Sequence, residues 1–476
     1  MKEGAHGGTL GSPVLTDPGH AGEGRQMARE TPSWGIEPVP ERLRVLNAAD
    51  QTMLWGNLGV SLLVLVLGAL LVPALSLRDA LIAVVVGSVI GNLMLGVAGM
   101  IGADARVPSM VLLRSPLGHR GSYLPTVLNV GQCLGWATFE LIIIAAAAGA
   151  LSDDVFGFRA KAAWTIFFGA AAAVLALMGP IGFVRRFLRR FAVYAVAASM
   201  VYLTYWVLWN ADLGKLWSAK GEGGMSIWLG IDLVIAITVS WVPLVADYTR
   251  FSRDRRSALV GSGVGYFVGA SWILMLGVVL VLDRNLTDPT RIPVAVAAGG
   301  AAAALALFAV TVDETDEAFA NVYSTAVSLQ NLMPRVPQWL LILAVSTVST
   351  IGALTINLAH YLDFLYLLGS CFVPLFGVLL ADWLVAGMRY RRDDFFAAPA
   401  FRPASIGAWV AGFALYQWLQ PVGPSWWTDI VKNAHPSQLA IGASLPSFAL
   451  AFLLAGLAGV VRPSVARAAY QSSHLK

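Results

Sequence analysis

Apolar residues run along the chain in long stretches that short polar, charged or Pro/Gly segments interrupt. A transmembrane helix needs roughly 20 apolar residues to cross the hydrocarbon core. About twelve stretches are long enough, and no alternation with a period of two is visible, so the pattern predicts an all-α polytopic membrane protein. The predicted spans centre on residues 51–73, 78–101, 122–150, 162–181, 189–209, 227–248, 258–282, 294–328, 338–360, 361–386, 404–423 and 438–460.

The charges between the spans predict the orientation. Loops after even-numbered spans are rich in arginine, whereas loops after odd-numbered spans balance basic with acidic residues. Because cytoplasmic loops carry an excess of Lys and Arg, this distribution places both termini in the cytoplasm. The arginines concerned are Arg106, Arg114, Arg120, Arg185, Arg186, Arg189, Arg190, Arg250, Arg253, Arg255, Arg256, Arg335, Arg389, Arg391, Arg392 and Arg402.

Composition supports the membrane assignment. The 476 residues are 57% hydrophobic and only 13% charged, with a net charge of +4, whereas soluble domains are about 25% charged. The first 30 residues are polar and glycine-rich without an apolar h-region. They predict a disordered cytoplasmic tail, which we extend to residue 44, and not a signal peptide.

Two spans carry helix-breaking residues. The first contains "LWGNLGVS" (Leu54–Ser61), where Gly56 and Gly59 weaken a helix, and the sixth contains "VSWVPLVADYTRF" (Val239–Phe251) with Pro243 in mid-span. The breaks lie five spans apart, as a five-plus-five inverted repeat with a site near the bilayer midplane requires. Pro and Gly are also common in ordinary membrane helices, so the alternative is that these residues mark no functional break.

The third span carries a polar stripe. Asn129, Gln132, Trp136 and Glu140 step by three or four residues and therefore share one helix face. This combination suits a planar nitrogen heterocycle as ligand, because the indole can stack on the ring of the ligand and the amides can hydrogen-bond to the edge of that ring. The alternative is that these groups only bond neighbouring helices, although an ionisable residue within a membrane is usually functional.

The sixth span places Ser240 and Trp241 beside Pro243. Backbone groups freed at a helix break can ligate polar substrate atoms or a cation. Packing in the core or against lipid is an equally good account of Trp241, because the chain has 16 tryptophans.

The eighth span contains "TVDETDEAFAN", with four acids within five positions, Asp313 to Glu317. Ionised acids at the bilayer centre would cost about 2.5–3.5 kcal/mol each, on the order of 10 kcal/mol together. Either the helix ends at residue 310, or some acids are protonated, or they line a wet cavity that holds a cation. The weakly apolar helical pattern that continues to Gln330 favours one long helix, without excluding the helix end.

The order and spacing of several motifs resemble the nucleobase:cation symporter-1 family, the purine–cytosine permeases. The resemblance covers residues 35 to about 385 and leaves the last two predicted spans less diagnostic. Its motifs are "GIEPVPER", "LWGNLGV", "LRSPLGHRGSYLP", "NVGQCLGWATFE", "SWVPLVADYTRFSR", "FANVYSTAVSLQN" and "YLDFLYLLGSCFVPLFGVLLADW".

The resemblance implies a LeuT-like fold of two inverted five-helix repeats plus two helices. The transporter domain would be 45–460, with repeats over 51–209 and 227–386, extra helices over 404–460, and a cytoplasmic tail over 461–476. Substrate would lie among spans one, three, six and eight. Substrate-binding residues carried over are Asn57, Gln132, Trp136, Ser240, Trp241, Asp313 and Glu317; cation-coupling residues are Gly56, Asn57, Asp313, Thr315, Asp316 and Glu317.

In sodium-coupled members, small hydroxyl residues of the eighth span help to build the cation site. Here Asp313, Glu314, Asp316 and Glu317 crowd that segment. This departure puts a sodium site in doubt and leaves proton coupling through a carboxylate open.

The function expected is secondary active import of cytosine, a purine, uracil, allantoin or hydroxymethylpyrimidine across the plasma or inner membrane, driven by H⁺ or Na⁺. Another small polar solute, such as an amino acid, is the alternative on the same fold. A membrane enzyme is less well supported, because the six histidines are scattered without metal-ligand spacing. We expect no cofactor, no resident metal apart from a coupling Na⁺, and no nucleic-acid partner, and we expect a monomer in the lipid bilayer.

Overall fold

The computed structural model describes residues 35–158, 160–184, 188, 189, 192–286, 291, 295, 296, 299–356, 361–434 and 441–460. Over these residues the chain is helical and forms no β-strand, and an isolated bridge pairs Leu46 with Ser252. The all-α prediction is confirmed. The predicted tails over 1–34 and 461–476 lie outside the described residues.

Helical segments occur at every predicted span. Six of the described helices are long and apolar enough to cross a membrane, and a seventh span is added if the bent pair near the N-terminus counts as one. The full count of twelve and the side of the termini stay predictions. In span order the helices are Ala48–Gly59 with Leu62–Val66 and Gly68–Leu71; Leu77–Ala105; Tyr123–Phe156; Lys161–Phe183; Val193–Asn210; Ile227–Val239 with Val245–Thr249; Arg255–Arg284; Ala301–Asp313 with Thr315–Leu332; Gln338–Thr355; Tyr361–Val385; Pro403–Leu419; and Ser444–Val460.

Short helices lie between the spans. They are the 3₁₀ turn Glu41–Leu43 and the helices Ser109–Leu112, Arg114–Leu117, Leu213–Ser218, Asp393–Phe396 and Ser425–Ala434.

The spans pack as two groups. Spans one, two, six and seven contact one another and form the first bundle, and spans three, four, eight and nine form the second bundle. Each bundle therefore contains two pairs of spans that are five apart in the chain, which is the arrangement that an inverted repeat produces. Span ten packs against spans eleven and twelve.

The helix breaks in spans one and six lie where the sequence predicts them. In span one the two halves are bent by 47°, and Ser61 begins the second half as its N-cap, accepting hydrogen bonds from the main-chain N–H groups of Leu63 and Val64. In span six the helix ends at Val239 and resumes at Val245. Pro243 lies in the gap, where it does not have to donate a helical hydrogen bond.

The eighth span is one long helix with a single interruption at Glu314. Glu314 keeps right-handed helical dihedrals, φ −51° and ψ −20°, so the helix continues beyond the acids to Leu332. The four acids of this segment are each at most 4% exposed. The alternative that the helix ends at residue 310 is therefore wrong, and the acids lie inside the protein.

The described part of the segment assigned to the tail, residues 35–44, packs against the helices. Val39 is 1% exposed, and its main-chain N–H donates to the carbonyl of Arg106 at 2.9 Å. The main-chain N–H of Leu46 donates to the carbonyl of Phe251 at 3.0 Å. This part of the chain is thus attached to the ends of spans two and six.

Glycines allow spans one and seven to approach backbone to backbone. A Cβ at Gly269 would lie 2.2 Å from the carbonyl oxygen of Gly56, and one at Gly277 would lie 2.0 Å from that of Leu65. No side chain fits at such distances, so both positions require glycine. The contact fixes the register between the two helices.

Gly269→Ala is therefore expected to destabilise the protein by about 1–3 kcal/mol, the usual effect of overpacking a close-packed interface. Thermal melting in detergent measures the change. Gly456→Ala is the matched control, because a Cβ there meets no heavy atom within 4 Å. An equal melting temperature for both variants would contradict the proposed role of the glycine contact.

Candidate functional site

Asn57 joins the break in span one to the acids of span eight. Its Nδ2 donates to Asp313 Oδ1 at 2.8 Å and to Asp316 Oδ2 at 2.7 Å. All three side chains are at most 4% exposed. We call Asn57, Asp313 and Asp316 the break centre, because it lies where the helix of span one is interrupted.

Glu314 bonds the start of the second half of span one. One carboxylate oxygen accepts from the Ser61 hydroxyl at 2.8 Å, and the main-chain N–H groups of Leu62 and Leu63 also donate to this carboxylate. The first N–H groups of a helix have no partner within the helix and carry partial positive charge, so an acid there is stabilising. Glu314 therefore bonds the start of this half-helix, and the other three acids do not.

A cavity lies between the two bundles beside the break centre. It combines aromatic faces with polar groups, which is typical of sites for small planar ligands. None of the described residues that line it is basic. The lining consists of Leu63, Val64, Trp136, Glu140, Ile237, Ser240, Trp241, Leu244, Tyr266, Glu317 and Asn321.

Aromatic side chains hold the walls of this cavity in place. Trp136 packs edge to face against Phe364, with ring centroids 5.7 Å apart. Across the cavity, Trp241 Nε1 donates to the hydroxyl of Tyr266 at 2.8 Å, and Trp55 packs edge to face against Trp241. Such contacts fix ring orientation, so two indoles face the same space.

Two acids from different spans meet in the cavity. The carboxyl groups of Glu140 and Glu317 lie close enough to hydrogen-bond to each other when one of them is protonated. Asn321 Nδ2 donates to Glu140 Oε1 at 2.9 Å. Glu140 Oε2 and Glu317 Oε1 receive no hydrogen bond from any described residue. We call Glu140 and Glu317 the acid pair.

The carboxyl groups of the acid pair need a neighbouring positive charge or bound protons. Two adjacent carboxylates in an apolar environment repel each other and lose their hydration. With no basic side chain among the cavity-lining residues, the charge is neutralised by bound protons or by a cation. This electrostatic requirement fits ion-coupled binding.

The structure distributes the predicted site residues over three places. Four of them line the cavity: Trp136, Ser240, Trp241 and Glu317. Asn57, Asp313 and Asp316 form the break centre, with the buried Thr315 next to them in the chain.

Two predicted residues lie apart from both centres. Gln132 is outside the cavity lining and donates from Nε2 to the carbonyl of Ser240 at 3.0 Å, in the gap of span six. Gly56 faces span seven, because a Cβ there would lie 3.5 Å from the carbonyl oxygen of Gly265.

Besides four aliphatic residues, three cavity residues with polar side chains are absent from the predicted binding set: Glu140, Asn321 and Tyr266. The first two had a signal, since Glu140 ends the polar stripe of span three and Asn321 lies one helical turn after Glu317. Tyr266 had none, because one tyrosine in an apolar span is unremarkable before its neighbours are known.

Hydrogen bonds join the two bundles below the cavity, on the predicted cytoplasmic side. The Tyr248 hydroxyl donates to the carbonyl of Ala320 at 2.9 Å, and Arg250 donates to the Tyr323 hydroxyl at 3.0 Å. Arg250 also donates to the carbonyl of Gly35 at 2.8 Å. We call these bonds the lower contacts.

A second cavity lies beside the gap in span six and is lined by apolar residues with Ser109. It contains no acid and no indole. The cavity with the acid pair is therefore the candidate binding site.

Sequence comparison gives a consistent set of relatives. The profile of a family described as permease for cytosine/purines, uracil, thiamine, allantoin matches residues 38–401. The cytosine permease of Escherichia coli (strain K12) is 25% identical over 370 residues, which cover 75% of this chain and 82% of that protein. The hydantoin permease of Microbacterium maritypicum is 25% identical over 362 residues, covering 71% and 72% respectively.

Solved structures share the fold. Mhp1, a nucleobase-cation-symport-1 family transporter in a closed conformation with bromovinylhydantoin bound, superimposes with a TM-score of 0.74 at 19% identity, over 89% of this chain and 94% of that one. A Na⁺-coupled sialic acid symporter has a TM-score of 0.57 at 9% identity, over 88% and 89%. The LeuT-like fold is confirmed.

Proposed function

Because the chain belongs to the family of permeases for cytosine/purines, uracil, thiamine and allantoin, we propose that its acid-lined cavity binds a nitrogen heterocycle for ion-coupled import. The protein is a multi-pass cell-membrane transporter of the nucleobase-related symporter type. Which heterocycle it carries, and with which ion, belongs to the proposal.

The observation that supports this proposal most directly is the cavity between the two bundles. Trp136 and Trp241 offer flat faces, while Ser240, Asn321 and the acid pair offer polar groups at the edge. A planar heterocycle has faces that stack and an edge that forms hydrogen bonds, so it satisfies both kinds of group at once.

Alternating access would move one bundle against the other around this site. The cavity and the break centre both lie between the bundles, and the break centre bonds the first bundle to the second through Asn57. A ligand or ion that binds one arrangement of the bundles better shifts the equilibrium toward it. Binding at either centre can therefore bias the motion.

We place the coupling ion, H⁺ or Na⁺, at the break centre. Asp313 Oδ2 and Asp316 Oδ1 receive no hydrogen bond from the described residues, so each keeps an oxygen available to a proton or a cation. Hard cations such as Na⁺ prefer oxygen ligands, as carboxylates provide. Thr315, Glu317 and the main chain near Gly56 remain proposed contributors.

Uptake into proteoliposomes tests the proposed function. Purified protein should accumulate labelled cytosine, adenine, uracil or hydantoin under an inward proton or sodium gradient, in a saturable manner. Dissipating the gradient with an ionophore should abolish accumulation and leave exchange. If no heterocycle moves under either gradient, the proposed function is wrong.

Asp316→Asn is expected to remove the gradient dependence of uptake while substrate exchange persists. The amide can still bond Asn57, but it neither takes up a proton at neutral pH nor offers charge to a cation. The ratio of accumulation with and without the gradient, which we expect to exceed one in the unaltered protein, should fall to about one. Asp283→Asn, at the end of span seven beside Arg284, is the matched control; a gradient response of Asp316→Asn equal to that of this control would contradict the coupling assignment.

A further inference from the structure

We propose that the acid pair selects heterocycles with an amidine edge, in which a ring nitrogen lies beside an exocyclic amino group, over the same rings with an oxo group there. The inference rests on the proposed function and narrows its substrate class. Cytosine and adenine have such an edge, and uracil and hypoxanthine are their oxo counterparts.

The acid pair is held in position, and two of its carboxyl oxygens have no hydrogen-bond donor among the described residues. Asn321 Nδ2 holds Glu140 Oε1 and also donates to the main-chain carbonyl of Glu317 at 3.2 Å. This one amide therefore ties the carboxyl group of span three to the backbone of span eight. Glu140 Oε2 and Glu317 Oε1 remain without a donor among the described residues, and both residues line the cavity.

A ligand therefore meets acceptor oxygens and, when the pair shares one proton, a single O–H donor. An amidine edge is complementary to both, because its amino group donates N–H to a carboxyl oxygen and its ring nitrogen accepts the O–H. If the proton passes to the ring nitrogen, the result is an amidinium ion held by a carboxylate through two parallel charge-assisted hydrogen bonds. Protons balance in either form, since the proton only changes its position between oxygen and nitrogen.

An oxo edge fits only one of these states. Its carbonyl oxygen can accept the shared O–H while its ring N–H donates to a carboxyl oxygen, but beside an ionised carboxylate that carbonyl oxygen has no donor and is repelled. An oxo ligand also brings no basic nitrogen to that position, so it cannot supply the positive charge that the acid pair lacks. Sites whose buried polar groups would be left unpaired by an analogue discriminate strongly against it.

Equilibrium binding to the purified full-length protein tests the inference with two matched probe pairs, cytosine against uracil and adenine against hypoxanthine. In at least one pair the amino compound should bind at least about tenfold more tightly, equivalent to 1.4 kcal/mol. Glu140→Gln should reduce this ratio to about one, because a glutamine amide cannot ionise and, with both a donor and an acceptor, pairs with either edge.

Glu317→Gln provides the second variant in case the first does not fold, and it should also reduce the ratio. Asp232→Asn is the control: this buried acid of span six lies outside the cavity lining and accepts from the main-chain N–H of Ser444 at the start of span twelve. The control should keep the amino-to-oxo ratio of the unaltered protein.

Oxo compounds that bind as tightly as their amino partners in both pairs would overturn the inference and leave the proposed function standing. So would a ratio that survives in both Gln variants. If none of the four probes binds while hydantoin is transported, the inference fails and the proposed function stands. If no heterocycle is transported under either gradient, both fail.

Discussion

Replacing Asn57 with alanine is expected to reduce uptake at least about 100-fold. This amide donates to Asp313 and Asp316 at once, and hydrogen bonds to charged groups contribute about 1.5–3 kcal/mol each. Their loss, roughly 3–6 kcal/mol in total, leaves two buried acids with no donor from span one and disconnects the two bundles at the break. Initial rates of uptake in proteoliposomes measure the effect.

Asn92→Ala is the matched control for this prediction. Asn92 is also a buried amide of the first bundle, but its Nδ2 donates to the carbonyl of Ser88 within its own helix. Its removal should leave uptake within about threefold of the unaltered protein, since a local bond contributes about 0.5–1.5 kcal/mol. Equal losses for the two variants would mean that buried amides matter here only for folding.

Trp136→Ala is expected to weaken substrate binding by about 10- to 100-fold, because stacking of a base on an aromatic side chain contributes roughly 1–3 kcal/mol. The indole lines the cavity and is oriented by Phe364. Trp136→Phe should retain most of the affinity, since a smaller ring still presents an aromatic face. Thermal-shift or equilibrium binding with the tightest ligand measures both variants.

Trp209→Ala controls for the loss of a tryptophan as such. Trp209 is 76% exposed at the end of span five and stacks on Tyr205, far from the cavity lining. Binding should be unchanged in this variant. Unaltered affinity in Trp136→Ala would remove Trp136 from the site.

The spans and both helix breaks could be predicted from sequence because their causes are local. A hydrophobic stretch of sufficient length has to cross the bilayer as a helix. In span six, Pro243 interrupts the helix through its own ring and its missing N–H donor. In span one, Ser61 caps the second half of the broken helix. The motifs that resemble the permease family likewise lie within short segments, and family membership is confirmed.

The fine structure of the site could not be predicted, because it depends on partners that are distant in the chain. Glu140 and Glu317 are separated by 177 positions, and nothing local indicates that their carboxyl groups meet. The side toward which Gly56 faces depends on the rotation of span one against span seven, which Gly265 and Gly269 determine by allowing close approach. Charge density alone gave four equivalent acids, whereas the fold gives Glu314 a helix start to bond, bonds Asp313 and Asp316 to Asn57, and brings Glu317 to the cavity.

The lower contacts have a consequence for how readily the two bundles separate on the predicted cytoplasmic side. They are hydrogen bonds between polar groups of Tyr248, Arg250 and span eight. The Tyr248 bond contributes about 0.5–1.5 kcal/mol net and the bond of the charged Arg250 about 1.5–3 kcal/mol, because water replaces the lost partner when the contact separates. An apolar seal would have to expose its surface to water during opening. Polar contacts that water can replace lower this barrier, so they favour frequent separation of the two bundles on that side.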